Sequence, residues 1–335
     1  MVAPLAARFA RRRPMRRDQS GERRGIRTMR VCVIGGTGHV GSFLSAMLAE
    51  AGHQVTVASS GRTPVPSGGP WQSIDSVTIR YGAEGWLDVI RATKPDAVVD
   101  ILQGNSPGLH EALKDTCRQF VVCGSLWMLG RPRVAPTPAV TQAPCLFEGY
   151  ASRYAQMLQT KECAKADGIA FTAIMPPNIC GPGKIPLDGH GGRDLEVHKA
   201  HRRGERVFLP APGSNLVGPC DAEDIARAFM LCLEKPDAAA DCIFNVGSAY
   251  ALTAVQFVET YGDIYGSTIS VELVDWSRYE TEMFPEIGAN WHFQANMCPD
   301  IRPLQERLGY QPAYTPEQTM ERAVRWMFDQ GLFDE

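Results

Sequence analysis

Hydrophobic positions along the chain switch between two spacings, and the switch recurs. Arg30–Ile34 is a short, β-branched, mostly apolar run of the kind that forms a buried parallel strand. Four glycines follow. Val40, Phe43, Leu44, Met47 and Leu48 then recur every three to four residues, the period of an amphipathic helix. The same alternation predicts strands over 54–58, 77–81, 97–102, 120–123 and 169–175, and helices over 86–92, 109–117 and 152–166. Strands and helices alternating through short connections specify an α/β fold, a doubly wound parallel sheet covered on both faces. The rhythm fails from Gly181 to Gly213, where a glycine- and proline-rich stretch precedes a polar, helix-like run from Asp194 to Arg203. Helices return at 225–233, 254–261 and 316–328. Thr253 caps the second, and Asp221, Glu223 and Asp224 complement the dipole of the first. The stretch 271–298, rich in aromatic and acidic residues, fits neither period.

Composition narrows the class. At 335 residues the chain accommodates one large α/β unit and a smaller one. A formal net charge of −3 gives no reason to expect nucleic acid or a membrane as partner. That average hides Arg11-Arg12-Arg13 and Arg16-Arg17, in a segment with almost no apolar periodicity. Residues 1–28 are therefore expected to form a disordered basic extension. They read either as an organelle transit peptide or as sequence preceding a native start at Met29. The ten cysteines include no Cys-x-x-Cys pair, and several sit inside apolar runs such as Val31-Cys32-Val33. They read as small buried hydrophobes in a reducing compartment, not as a disulfide framework or a zinc site. No apolar run approaches the roughly twenty residues a bilayer requires, and the expected location is cytoplasmic. His190, His198 and His201 with Asp194 invite a metal reading. Arg193, Arg202 and Arg203 oppose a cation there, so no metal is expected.

The segment Gly35-Gly36-Thr37-Gly38-His39-Val40-Gly41 carries the first chemistry. Glycines between a strand and a helix let the backbone approach a pyrophosphate held at the helix N-terminus, so these seven residues are candidates for binding a dinucleotide cofactor. The end of the second strand selects the cofactor. A carboxylate there would read the ribose hydroxyls of NAD, but the chain has Ser59, Ser60 and Arg62, which suit a 2′-phosphate. NADP is favoured over NAD. Gln103 lies in a turn at the carboxyl end of the fourth strand, where ligands sit in doubly wound sheets, and is a further cofactor candidate.

Phe120-Val-Val-Cys-Gly-Ser-Leu-Trp-Met-Leu-Gly130, taken with the glycine segment, resembles the extended short-chain dehydrogenase/reductases, the NAD-dependent epimerase/dehydratase group. Further matches follow in order. Met175-Pro-Pro-Asn-Ile-Cys-Gly-Pro-Gly183 is similar to that family's strand with a Gly-Pro-Gly turn, and Phe244-Asn-Val-Gly-Ser248 and Leu308-Gly-Tyr-Gln-Pro312 to its later elements. The resemblance implies a Rossmann fold with a smaller C-terminal substrate domain. Residues 29–180 and 215–248 would bind the dinucleotide, and 181–214 and 249–335 the substrate. It also implies hydride transfer on a polar hydroxylated small molecule such as a nucleotide-sugar, and a homodimer formed through the 152–166 helix.

The family's chemistry uses a Tyr-x-x-x-Lys pair and a strand-end hydroxyl. A phenol, with an ordinary pKa near 10, needs a neighbouring positive charge to act as a base at neutral pH. Ser125 falls on the hydroxyl position and Tyr150 on the tyrosine. Tyr154 then stands where the lysine is expected, and Arg153, one residue short, points about 100° away from that direction. Tyr150, Pro177 and Asn178 fall where the family touches the cofactor, and Asn178 also where it touches substrate. Arg193, with Arg202 and Arg203, is a candidate for a substrate phosphate. Two functions stay open: an NAD(P)-dependent epimerase, dehydratase or reductase, and an NAD(P)-binding sensor or partner-binding protein that has lost redox catalysis with the lysine. A third route keeps the cofactor and uses another acid or base, such as Glu148 or a histidine of 190–201.

Overall fold

The structure is a computed structural model that describes residues 28–284 and 291–334. Except for Thr28, the expected basic extension lies outside the described residues. The first strands and helices are β1 (Arg30–Ile34), α1 (His39–Glu50), β2 (Gln54–Ser59), β3 (Asp75–Thr78), α2 (Trp86–Ala92), β4 (Ala97–Asp100), α3 (Ser106–Leu113), β5 (Gln119–Cys123), α4 (Glu148–Ala166) and β6 (Ala170–Met175). The chain continues through β7 (Asn178–Cys180), α5 (Leu195–Arg202), β8 (Val207–Pro210), β9 (Leu216–Val217), β10 (Pro219–Asp221), α6 (Ala222–Glu234), α7 (Pro236–Ala239) and β11 (Cys242–Asn245). It closes with β12 (Leu252–Thr253), α8 (Ala254–Tyr265), β13 (Val271–Val274), α9 (Trp276–Arg278), α10 (Arg302–Leu308) and α11 (Pro316–Asp329).

Seven strands form one sheet in the order β11-β6-β5-β4-β1-β2-β3, with every neighbouring pair parallel. From β1 the chain winds outward to β2 and β3, then returns to β4 on the other side. This reversal opens a crevice at the carboxyl ends of β1 and β4, the place where such sheets bind ligands. The two faces follow from strand alternation. Val31 and Val33 join a core with Leu44 of α1 and Phe229 of α6. Cys32 and Ile34 face the other core, with Ile90, Leu109 and Met157 of α2, α3 and α4. Ile301, Leu304, Leu308 and Tyr310 pack into the first of these cores. A third cluster gathers Leu209, Phe257, Tyr261, Met320 and Val324 around β8, α8 and α11. All ten cysteines are free. No helix among the described residues is long and apolar enough to cross a membrane.

Local chemistry explains where element boundaries depart from periodicity. α3 starts at Ser106, ahead of its apolar residues, because the Asn105 side chain accepts the Gly108 N–H. α4 starts at Glu148, which places Tyr150 in its first turn. Asp221 caps α6 through the Glu223 N–H, and Asp224 accepts the N–H groups of Ala313 and Tyr314.

The histidines of the 190–201 stretch belong to packing. His198 bonds the Pro186 carbonyl and the Tyr265 hydroxyl, and His201 stacks on Tyr261 with ring centroids 5.5 Å apart. The His201 Nε2 accepts the Gly189 N–H, so its hydrogen sits on Nδ1. That Nδ1 has no partner among the described residues. Burial, then the neighbouring His198 and His190, push His201 down to about 3. An unfolded histidine titrates near 6.5. The unfolded state therefore binds the proton first, and the stability contributed by a neutral His201 is intact above that value and lost as pH falls toward 3. His39 and His292, each pushed by burial to about 4, act in the same direction. Asp100, raised by burial to about 6, opposes only part of this loss. Melting temperature is expected to fall between pH 7.5 and 5. His201→Gln keeps an acceptor for Gly189 and cannot take a proton, so it should reduce the accompanying loss of stability by about 2 kcal/mol near pH 5 and flatten the fall in melting temperature. Thermal melts with parallel slopes for the two proteins would remove His201 from the acid response.

Candidate active site

The turn between β1 and α1 is packed so tightly that side chains are excluded. Gly35 has φ +83°, in the left-handed region. A Cβ on Gly41 would stand 2.2 Å from the Gly35 carbonyl oxygen and 2.8 Å from Gly36 Cα. One on Gly36 would stand 2.5 Å from Val57 Cγ1. α1 begins after Gly38 without a side-chain cap, leaving its first-turn N–H groups available to an anion. Thr37 is buried, and the Val40 side chain belongs to the core, so Val40 offers a ligand only its backbone. A dinucleotide pyrophosphate fits this cradle.

At the end of β2, the Ser59 and Ser60 hydroxyls accept the Gly61 and Arg62 N–H groups at 3.4 Å. Ser59 is buried, while Ser60 and Arg62 are exposed. These three residues lie apart from the cleft described next.

The β4 turn is fastened by Asp100. Its wholly buried carboxylate accepts N–H groups from Leu102 and Gln103 at 3.0 and 2.9 Å and the Tyr81 hydroxyl at 2.8 Å. Tyr81 in turn accepts the N–H groups of Gly104 and Asn105. These bonds hold Gln103 at φ +46°, a conformation costing a non-glycine residue about 1–3 kcal/mol. The Gln103 side chain then donates to the Arg153 carbonyl at 2.9 Å, joining this turn to α4.

A cleft of about 500 Å³ opens beside the turn, and its walls bring together His39, Gln103, Ser125, Tyr150, Pro177, Asn178 and Arg193. The His39 Nε2 donates to the Gly181 carbonyl at 3.2 Å and so ties the glycine turn to the 181–183 loop. The Ser125 Oγ accepts the Trp127 N–H at 3.3 Å while its hydroxyl stays on the cleft wall, so it both caps a turn and lines the site. The half-buried Tyr150 packs edge-on against Phe147. Arg153 also lines the cleft, its Cζ lying 6.0 Å from the Tyr150 ring centroid, despite the angular offset expected from sequence. The Tyr154 hydroxyl is instead 3.1 Å from Thr141 Oγ1.

The opposite partners come from beyond β6. The Asn178 Nδ2 donates to His292 Nδ1 at 2.8 Å, which leaves the hydrogen of that neutral ring on Nε2. The buried Asn178 Oδ1 has no partner among the described residues and is an acceptor in waiting. Arg193 lines the cleft but donates from both terminal nitrogens to the Ile179 and Ile185 carbonyls, each at 2.7 Å, and so braces the loop. Arg202 and Arg203 do not line the cleft: Arg202 lies over Phe328 and Phe333, and Arg203 pairs with Glu205. Lys184 is on the cleft wall; loss of water around it and the charge of Arg193 hold its ammonium below its ordinary value.

Lys184 and His292 are cleft residues that sequence reasoning missed. Lys184 directly follows the Gly181-Pro182-Gly183 turn, a signal that was available. His292 belongs to the aperiodic 271–298 stretch, where pattern offers none.

The sequence profile of the NAD dependent epimerase/dehydratase family matches residues 92–247. A 2'-dehydrokanamycin reductase of Streptomyces kanamyceticus is 32% identical over 318 residues, spanning 91% of this chain and 86% of the reductase. The chain belongs to the NAD-dependent epimerase/dehydratase family. A UDP-glucose 4-epimerase of Corynebacterium glutamicum is 25% identical over 344 residues, covering 91% of this chain and 97% of the epimerase. In fold, the chain matches the solved UDP-glucose 4-epimerase of Thermotoga maritima with a TM-score of 0.71 at 19% identity, over 90% of this chain and 99% of that one.

As an NAD-dependent epimerase/dehydratase family member the chain is an enzyme that uses a nicotinamide dinucleotide cofactor. The glycine cradle has the close backbone approach and the uncapped helix start that the pyrophosphate of such a cofactor would need.

Proposed function

We propose that this enzyme transfers a hydride at a carbinol or carbonyl carbon of a polar hydroxylated substrate, as a reductase or epimerase, with NADP(H) preferred over NAD(H). The observation that carries the reading is the convergence of Ser125, Tyr150 and Asn178 on one cleft with His39 of the glycine turn. When bound, the nicotinamide supplies or takes up the hydride. The chain's own residues manage the oxygen: Tyr150 exchanges its phenolic proton with it, and Ser125 donates a hydrogen bond to the same atom. Asn178 Oδ1 and His292 Nε2–H add an acceptor and a donor that orient neighbouring hydroxyls.

The relatives' names give 2'-dehydrokanamycin and UDP-glucose as substrates, both hydroxylated ring compounds. With Arg193 engaged by carbonyls, Lys184 becomes the cation for a nucleotide-sugar phosphate. The test is direct. Purified protein is offered NADPH and NADH with a panel of keto-sugars and UDP-sugars, and nicotinamide absorbance and product stereochemistry are followed. Cofactor binding without turnover across the panel would sink the hydride reading in favour of the non-redox alternative.

The cofactor preference rests on Ser59, Ser60 and the exposed Arg62, with no carboxylate among them. A charge-assisted bond to a 2′-phosphate contributes about 1.5–3 kcal/mol. Arg62→Ala is therefore expected to weaken NADPH about tenfold or more and leave NADH nearly unchanged. Equal losses for the two nucleotides in a binding titration would return the preference to NAD.

A further inference from the structure

We propose that Arg153 supplies the positive charge that supports proton transfer by Tyr150, acting from the next turn of α4. The inference rests on the hydride-transfer reading for its function, but its geometry stands alone. A phenol that gives up a proton near neutral pH needs a cation close by. Among the described residues the cleft offers three: Arg153, Lys184 and Arg193. Arg193 holds two backbone carbonyls with both terminal nitrogens. Lys184 stands on the loop that follows β7, just after the Gly181-Pro182-Gly183 turn and not on α4. Arg153 alone shares a helix face with Tyr150.

Residues three apart on a helix are neighbours as much as residues four apart. Position 153 therefore presents a side chain to Tyr150 as well as position 154 would, and the guanidinium carbon sits 6.0 Å from the ring centroid, at the outer limit of a cation–π contact. Tyr154 itself supplies no charge there, its hydroxyl lying 3.1 Å from Thr141 Oγ1 of the 131–147 loop. The placement is also enforced from below. Gln103 Nε2 binds the Arg153 carbonyl, and the Asp100 carboxylate that fixes Gln103 interacts electrostatically with Arg153. The turn that meets the cofactor and the residue that carries the charge are thus one hydrogen-bonded unit. Arg153 acts through Tyr150.

The variants Arg153→Gln, Arg153→Lys and Arg153→Gln/Tyr154→Lys test this, with two readouts. The first is the ultraviolet phenolate band of Tyr150, isolated by subtracting Tyr150→Phe. It should move to higher pH in Arg153→Gln than in wild type, and stay close to the wild-type pH in the other two. The second is kcat, expected to fall about 10- to 100-fold in Arg153→Gln with KM little changed, and to recover in the lysine variants. An unmoved phenolate band in Arg153→Gln overturns the proposal whether or not turnover is seen. A displaced band in a protein with no turnover leaves Arg153 assigned and removes the hydride reading instead.

Discussion

Tyr150→Phe is expected to lower kcat by about 10²- to 10⁴-fold, the contribution of a positioned proton donor or acceptor. KM and nucleotide affinity should stay within about threefold, because only the hydroxyl is removed and no binding contact depends on it alone. The fold should be untouched. The ring keeps its edge-on contact with Phe147, centroids 5.9 Å apart, and Tyr150 is only half-buried, so the melting point is expected to match wild type. Steady-state kinetics beside a thermal melt separate these outcomes. Retained activity in the folded variant would move the proton to another group, with Glu148 next along the chain. Ser125→Ala gives a useful contrast. Its Oγ also caps the turn at Trp127, so that variant combines a kinetic loss with about 1 kcal/mol of stability.

Much of the scaffold was legible in sequence because the physics behind it is local. Val31 and Val33 face one core and Cys32 and Ile34 the other, which a β-branched run bounded by glycines already implies. Gly35, Gly36 and Gly41 declared a close backbone approach, and a Cβ on Gly41 would indeed stand 2.2 Å from the Gly35 carbonyl oxygen. The cleft was legible only in part. Ser125, Tyr150 and Asn178 sit at strand ends or in a helix start, positions that order along the chain can identify. His292 could not be found, since it reaches Asn178 across 114 positions from a stretch without period. Arg193, a candidate for a phosphate, also gives one donor from each terminal nitrogen to the carbonyls of Ile179 in β7 and Ile185, a contact fixed by tertiary folding and not by residue type. Arg153 shows a third kind of limit. It does sit about 100° from position 154, but the neighbour that matters is Tyr150, one short turn away.

The second large effect lies at the glycine turn. Gly41→Ala is expected to abolish measurable nucleotide binding, weakening it at least about 100-fold, and to cost about 3 kcal/mol or more of stability. The added methyl would stand 2.2 Å from the Gly35 carbonyl oxygen and 2.8 Å from Gly36 Cα. Both atoms are backbone, so no side-chain rotation relieves the clash. The turn must open, and opening it displaces α1 from β1 at the place where the first-turn N–H groups would hold the pyrophosphate. Binding and stability should fall together for this reason, whereas loss of a ligand contact alone would leave the melting point in place. Gly149→Ala is the control, because nothing lies within 4 Å of its missing Cβ. It belongs to α4, where alanine is favoured over glycine by up to about 1 kcal/mol, so that variant should bind nucleotide normally and melt no lower than wild type. Nucleotide titration and thermal melts on the two variants decide the point. A Gly41→Ala protein that binds like wild type would mean that the turn is free to widen without cost, and that the cofactor is held elsewhere along the β1–α1 edge.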